Sequence, residues 1–370
     1  MQYRIVIMSL MMLLCLCGCT ARQETNGHSQ DIVVDLSVRG DDFTTFANIL
    51  NVDRVIPLES SPTCMIHDIK RIKFFKGEYY VLDVAGQRCI LVFDGGGRFV
   101  RKIGRFGNGN GEYPSIEDFA INEDREEVAI LSCNANVYQY SCKGDFLRKV
   151  DLGDFLVWNI CWTGHGYLFS TNHYTFTEGE EARLVYEYDD DFSLKRKMMD
   201  VATDQIHTPT TIYSCLNRSK DGVAYSDQFT NSVFVIGDSG IVTYRYKLGD
   251  PMPQDIFSDT NAFMQNQSRY DYVLDNMVMD DGVLTFYMDG GTSCVAISDM
   301  AGDVRLNQPY AGMMPRLYDM VDGHILSAFS ASEIIFGMEM MPMDKAIADS
   351  VDYSDNHFIL YMDINEDAVF

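Results

Sequence analysis

Apolar and polar residues alternate along this chain in short runs, and one phrase of that alternation keeps returning. A strand ends in an aromatic or aliphatic anchor, a tight turn rich in Asp, Ser or Gly follows, and a second strand begins. Two full copies are Ile90-Leu91-Val92-Phe93-Asp94-Gly95-Gly96-Gly97-Arg98-Phe99 and Val137-Tyr138-Gln139-Tyr140-Ser141-Cys142-Lys143-Gly144-Asp145-Phe146. The strand half recurs at Val185-Tyr186-Glu187-Tyr188-Asp189, Val233-Phe234-Val235-Ile236-Gly237 and Val295-Ala296-Ile297-Ser298. The anchors Phe93, Tyr140, Tyr188, Ile236 and Ile297 lie 47, 48, 48 and 61 residues apart. A strand-built repeat of roughly 40–50 residues has the length of one propeller blade.

Counting period-2 runs between turn residues gives four strands per repeat. The expected fold is all-β: a six-bladed β-propeller of four-stranded antiparallel blades. Blade one runs over 66–103, blade two over 116–152, blade three over 156–199 and blade four over 212–247. A polar insertion at 251–267 lengthens the approach to blade five (270–306) and accounts for the 61-residue interval. Blade six starts at Pro315, is interrupted by a Met-rich, helix-like segment over 333–349, and resumes at His357–Asp363 with only three strands visible. Its fourth must come from the far end of the chain, either Ile32–Leu36 or Val52–Leu58. A ring closed by an N-terminal strand leaves no bare edge at the seam.

The leader sets the compartment. Met1–Gly18 has one cation (Arg4), an apolar run from Ile5 to Leu16, and then Leu16-Cys17-Gly18-Cys19, the layout of a secretory signal. Cys19 after a small residue reads as the lipid attachment site of a bacterial lipoprotein. Residues 19–30 are polar and aperiodic, a flexible tether, and residues 31–370 form the propeller. The expectation is a bacterial cell-envelope protein, an outer-membrane lipoprotein held to the membrane through Cys19, either periplasmic or surface-facing.

Several strings occur in a fixed order: Val55-Ile56-Pro57-Leu58-Glu59, Ile66-His67-Asp68-Ile69-Lys70-Arg71-Ile72, Tyr80-Val81-Leu82-Asp83, and Ile103-Gly104-Arg105-Phe106-Gly107-Asn108-Gly109-Asn110-Gly111-Glu112-Tyr113. With them the chain resembles the six-bladed β-propeller lipoproteins of Bacteroidetes, relatives of NHL-repeat proteins. Two departures stand out. That family has Gly-Pro-Gly-Glu-Tyr where this chain has Gly109-Asn110-Gly111-Glu112-Tyr113, and Asn-Pro where it has Asn356-His357. The resemblance implies a lipid-anchored envelope protein and little about its biochemical role.

Composition narrows the partners. A formal net charge of -25 disfavours phosphate backbones, so no nucleic-acid partner is expected. Beyond Cys19 seven cysteines remain without a CxxC or CxC pair, so neither a disulfide framework nor a zinc knuckle is implied. Cys133 and Cys142 flank a hairpin and could bridge.

The candidate chemistry is thin. Gly107-Asn108-Gly109-Asn110-Gly111 is followed by a strand rather than a helix and reads as an inter-blade turn, not a phosphate cradle. Asp189-Asp190-Asp191 reads as a polar turn ahead of a calcium corner. Met338, Met340, Met341 and Met343 suit one apolar helix face better than a Cu(I) site. His67, His165 and His207 are the candidates for a divalent metal in the central channel; without such convergence no cofactor is expected. Trp158, Trp162, Tyr167, Tyr174 and Phe176 cluster around a long blade-three loop, and Trp162, Tyr167 and Tyr174 are the candidate ligand-binding platform. No nucleophile elbow, HExxH or P-loop occurs. The expectation is a binding module for a glycan, a peptide or an envelope protein. The rivals are an NHL-like or carbohydrate-active lyase or hydrolase in the central channel, and a structural subunit of an outer-membrane complex.

Overall fold

The computed structural model describes residues 28–153, 155–173, 183–201, 216–257, 259–337 and 345–365. Cys19, Tyr174, Phe176, His207, Cys215 and Met338, Met340, Met341 and Met343 lie outside the described residues. Six sheets form, each built on four antiparallel strands and two of them carrying a fifth, parallel strand, so the protein is a six-bladed propeller. The inner strands are Ile69–Phe75, Asp118–Asn122, Asn159–Trp162, Leu216–Ser219, Tyr272–Val278 and Asp319–Val321, and they meet one another around the axis. Because every blade repeats one meander, all six inner strands begin on one face, here the upper, and end on the lower.

The alternation in sequence is spent on two interfaces at once. In blade one, Tyr79, Val81, Leu91 and Phe93 pack toward blade six with Leu326 and Tyr361. Their neighbours Tyr80, Leu82, Ile90 and Val92 pack toward blade two with Phe119, Ile130 and Tyr138. A strand buried on both faces therefore reads as a nearly continuous apolar run, and each fully buried large side chain contributes about 1.5–3 kcal/mol. Equivalent apolar layers fill the other four junctions.

The recurring turn has a hydrogen-bond cause. The Asp94 carboxylate accepts from the Gly96 and Arg98 N–H groups (2.9 and 3.0 Å). Asp189 does the same for Asp191 and Ser193 (3.1 and 2.8 Å), and Asp299 for Ala301 and Asp303 (2.9 and 3.0 Å). Gly97 and Gly144 then take φ of 82° and 97°, a left-handed turn that Gly adopts without penalty. Asp190 and Asp191 ion-pair with Arg125 of blade two (2.5 and 2.9 Å), so this acidic run is a paired turn. In the glycine-rich connection, Glu112 accepts from the Gly109 N–H (2.8 Å), and buried Tyr113 donates to the Arg88 carbonyl (2.9 Å).

The N-terminal segment serves three blades. His28–Asp35 adds a fifth, parallel strand to the outer edge of blade four, along Gly240–Lys247. Thr44–Thr45 pairs in parallel with the outer strand of blade five. Leu50–Pro57 then supplies the outer strand of blade six, antiparallel to Phe358–Ile364, and closes the ring. Of the two expected closing segments, the second closes it, while Ile32–Leu36 extends a different blade. The insertion after blade four is helical rather than a plain loop: Gln254–Phe257 and Thr260–Asn266 cover a small cluster of Met252, Phe257, Phe263 and Tyr272. Cys133 and Cys142 are both free thiols.

The axis is filled rather than open at the level of Arg71, which is wholly buried. Its guanidinium donates to both Asp118 carboxylate oxygens (2.5 and 2.7 Å), to the Leu216 carbonyl (3.0 Å) and to Asn217 Oδ1 (3.3 Å). Asp118 also accepts from the Ile160 N–H (3.1 Å). Burial alone would lower the Arg71 pKa, but the Asp118 charge and hydrogen bonds outweigh it and raise it. Blades one to four are thus tied across the axis by one ion pair, where the rival reading would have seated a lyase or hydrolase site.

Candidate functional site

The best-equipped pocket lies on the upper face at the seam between blades six and one, a cavity of about 470 Å³. Four stretches build it. Met65–Asp68 leads into the inner strand of blade one, and Arg316 and Tyr318 lead into that of blade six. Ala328–Glu333 follows the second strand of blade six, and Tyr353, Asp355 and His357 precede its third.

Each is held by local chemistry. Arg316 Nη1 donates to Asp68 Oδ1 (3.2 Å), and Tyr318 OH donates to the Ile69 carbonyl (3.2 Å). Asp68 is fixed in turn by its N–H donating to buried Asp83 (3.2 Å), which also accepts from the N–H groups of Ala85, Gly86 and Gln87. Ser330 and Glu333 cap the helix Ala331–Gly337 reciprocally: the Ser330 N–H donates to Glu333 (2.7 Å), and the Glu333 N–H donates to Ser330 Oγ (3.2 Å). Asn356 is buried and pins the last segment, donating to the Glu59 and Cys64 carbonyls (2.9 and 3.0 Å) and accepting from the Ile66 N–H (3.2 Å). The neighbouring His357 stands where the resembling family has proline, and its imidazole lines the pocket. Burial pushes the His357 pKa below its ordinary value, so the ring is neutral near pH 7.

Asp275 reaches the same segment from blade five. Its carboxylate accepts from the Asn276 N–H (2.8 Å) and holds the backbone of Leu317, between Arg316 and Tyr318. Part of the residue touches water, yet shielding of the carboxyl pushes its pKa up to about 7. The folded state therefore keeps a proton that the unfolded chain releases near pH 4, and stability falls as pH rises from about 4 to 7. Asp275→Asn should remove this component and be more stable than wild type at pH 8 by on the order of 3 kcal/mol. It should show little gain at pH 4, as denaturant titrations at the two pH values would establish.

The sequence-derived candidates fare unevenly. His67 does line this pocket; its side chain is 59% exposed and its Nδ1 lies 3.9 Å from Asp83. A Cβ on Gly86 would sit 2.0 Å from His67 Nδ1, so glycine there leaves the imidazole its place. His165 instead sits in a lower-face hairpin of blade three, in a separate cavity of about 370 Å³, with Nε2 3.7 Å from Asp238. Opposite faces cannot share one ion, so His67 and His165 do not converge. No group of three or more potential metal ligands is placed together among the described residues. Trp162 and Tyr167 pack into the core between blades two and three, 4% and 0% exposed. Tyr167 meets Trp162 edge-on at 5.0 Å and stacks on Phe192 at 4.5 Å, which leaves no ring face for a sugar. Exposed rings lie elsewhere, among them Tyr353, which lines the upper pocket, and Phe336 6.3 Å from it.

Sequence reading missed Arg316, Glu333 and His357, and also a buried hydrogen-bond contact between His173 Nε2 and Asp227 (3.0 Å) under Phe229. The departure at Asn356-His357 and the candidate His67 were the signals that fell on the pocket.

Known folds agree with this architecture. A crystal structure of a Bacteroides fragilis protein described as exported superposes with a TM-score of 0.73 at 18% identity, covering 90% of this chain and 99% of that one. A member of the DUF4221 family from Bacteroides vulgatus gives 0.55 at 8% identity, covering 86% and 99%. At such identities the likeness is one of fold. No curated protein matches the chain. One family model, described as a domain of unknown function (DUF4934), matches residues 34–363.

Proposed function

The chain belongs to the DUF4934 family, and from that premise we propose that it is an envelope-bound glycan-binding module whose site is the upper-face pocket at the seam. The observation that carries this reading is convergence. Asp68, Arg316, Glu333, His67 and His357 meet in one polar cavity rimmed by the exposed Tyr353 ring. Arg316 can donate to sugar hydroxyls, the Asp68 and Glu333 carboxylates can accept from them, and an open aromatic face suits a pyranose ring. A rigid ring that holds loops from distant parts of the sequence is what a preformed site needs.

The leader and the likeness to a protein described as exported support an extracytoplasmic location. We place the anchor at Cys19, with the tether carrying the propeller at the outer membrane; mass spectrometry of the mature N-terminus checks this.

A thermal-shift panel of plant and host oligosaccharides tests the site. A ligand at 100 times its dissociation constant adds about 2.7 kcal/mol, which moves the midpoint of a domain this size by about 2 °C or more. Arg316→Ala should abolish the shift. A shift with peptides only would replace the glycan by a peptide, and a flat panel would sink the small-ligand reading in favour of a protein partner.

A further inference from the structure

A second cavity, larger and of different chemistry, opens on the lower face between blades five and six, with a volume of about 990 Å³. Its rim carries four carboxylates: Asp280, Asp281, Asp299 and Asp363. Two are already engaged, Asp299 by Arg305 (2.5 Å) and Asp363 by His324 Nδ1 (2.7 Å). Asp280 and Asp281, on the tip of the first hairpin of blade five, are exposed and make no ion pair among the described residues. The floor is apolar, with Met279, Ile297, Ile325 and Met362 at most 8% exposed.

From this geometry we propose that the lower-face cleft is a second binding site, for a peptide segment that carries Lys or Arg beside apolar side chains. Two carboxylates that make no ion pair among the described residues, at the mouth of an apolar cleft, complement a cationic, amphipathic occupant. The net charge of -25 steers such a partner toward the protein, while the cleft fixes where it lands. This site shares no lining residue with the upper pocket and does not depend on what that pocket binds.

The test is fluorescence anisotropy of the full chain with a short fluorescein-labelled peptide alternating Lys and Leu, against a Glu-Leu counterpart. Wild type should bind the first and not the second. Asp280→Asn with Asp281→Asn should weaken binding about tenfold or more. Asp41→Asn with Asp42→Asn, which removes the same charge from exposed positions outside the cleft, should leave it unchanged. No binding by wild type overturns the proposal. So does equal loss in the two double variants, which would mean attraction to overall charge alone.

Discussion

Asp118→Ala should destabilise this protein by about 3–5 kcal/mol, the cost of stranding a buried cation. The Arg71 guanidinium has no access to water, and Asp118 receives two of its hydrogen bonds. Removing the carboxylate leaves that charge with the Leu216 carbonyl and Asn217 as its remaining polar contacts described above, and it also frees the Ile160 N–H. Four of the six blades meet at this pair, so the loss is felt cooperatively rather than in one sheet. A double replacement, Arg71→Met with Asp118→Leu, should recover much of the deficit, because an apolar pair of similar volume carries no desolvation penalty. Urea unfolding of wild type, single and double variants reads this directly. A single variant within 1 kcal/mol of wild type, on the order of a surface substitution, would show that the pair is not what ties the axis.

A chain beginning at Ser60 should lose cooperative unfolding altogether. It lacks Leu50–Pro57, so the Phe358–Ile364 strand keeps an unpaired edge and blade six is reduced to three strands. It also loses Phe46, Ile49 and Leu50 from the layer between blades five and six, and Leu58 from the layer between six and one. Four buried apolar side chains at about 1.5–3 kcal/mol each rival the whole stability of an ordinary domain. The expected result is a broad, probe-dependent melt and aggregation through the bare edge. A sharp two-state transition near the wild-type midpoint would mean that the seam is held by something other than this strand.

Sequence alternation carried the fold a long way, because each blade strand has to satisfy two apolar neighbours and so leaves a dense, periodic record. The run Cys89-Ile90-Leu91-Val92-Phe93 divides between two interfaces, odd positions to one and even to the other. The parallel strand at the start was legible as a strand, with Ile32 and Val34 buried and Val33 exposed. Its partner was not, since nothing local tells Ile32–Leu36 to seek blade four rather than blade six. The upper pocket was less legible still. Asp68, Arg316, Glu333 and His357 come from opposite ends of the chain and meet only because the ring closes there. Aromatic density misled for a physical reason: Trp162 and Tyr167 are large because they fill a wide gap between two blades, and filling it hides them.

The N-terminal segment also divides the rim of the ring into two halves with different defences against self-association. Its described strands pair with the outer edges of blades four and five and form that of blade six, and none of them pairs with the outer strand of blades one to three. On those three the outermost strands are Phe99–Ile103, Phe146–Asp151 and Leu194–Asp200, and each carries adjacent cations: Arg101-Lys102, Arg148-Lys149 and Lys195-Arg196-Lys197. In a protein with far more acidic than basic residues, that placement puts positive charge where backbone donors and acceptors lie bare. Two molecules approaching rim to rim along these edges would set lysines and arginines against their like, which keeps a sheet from running on from one copy into the next.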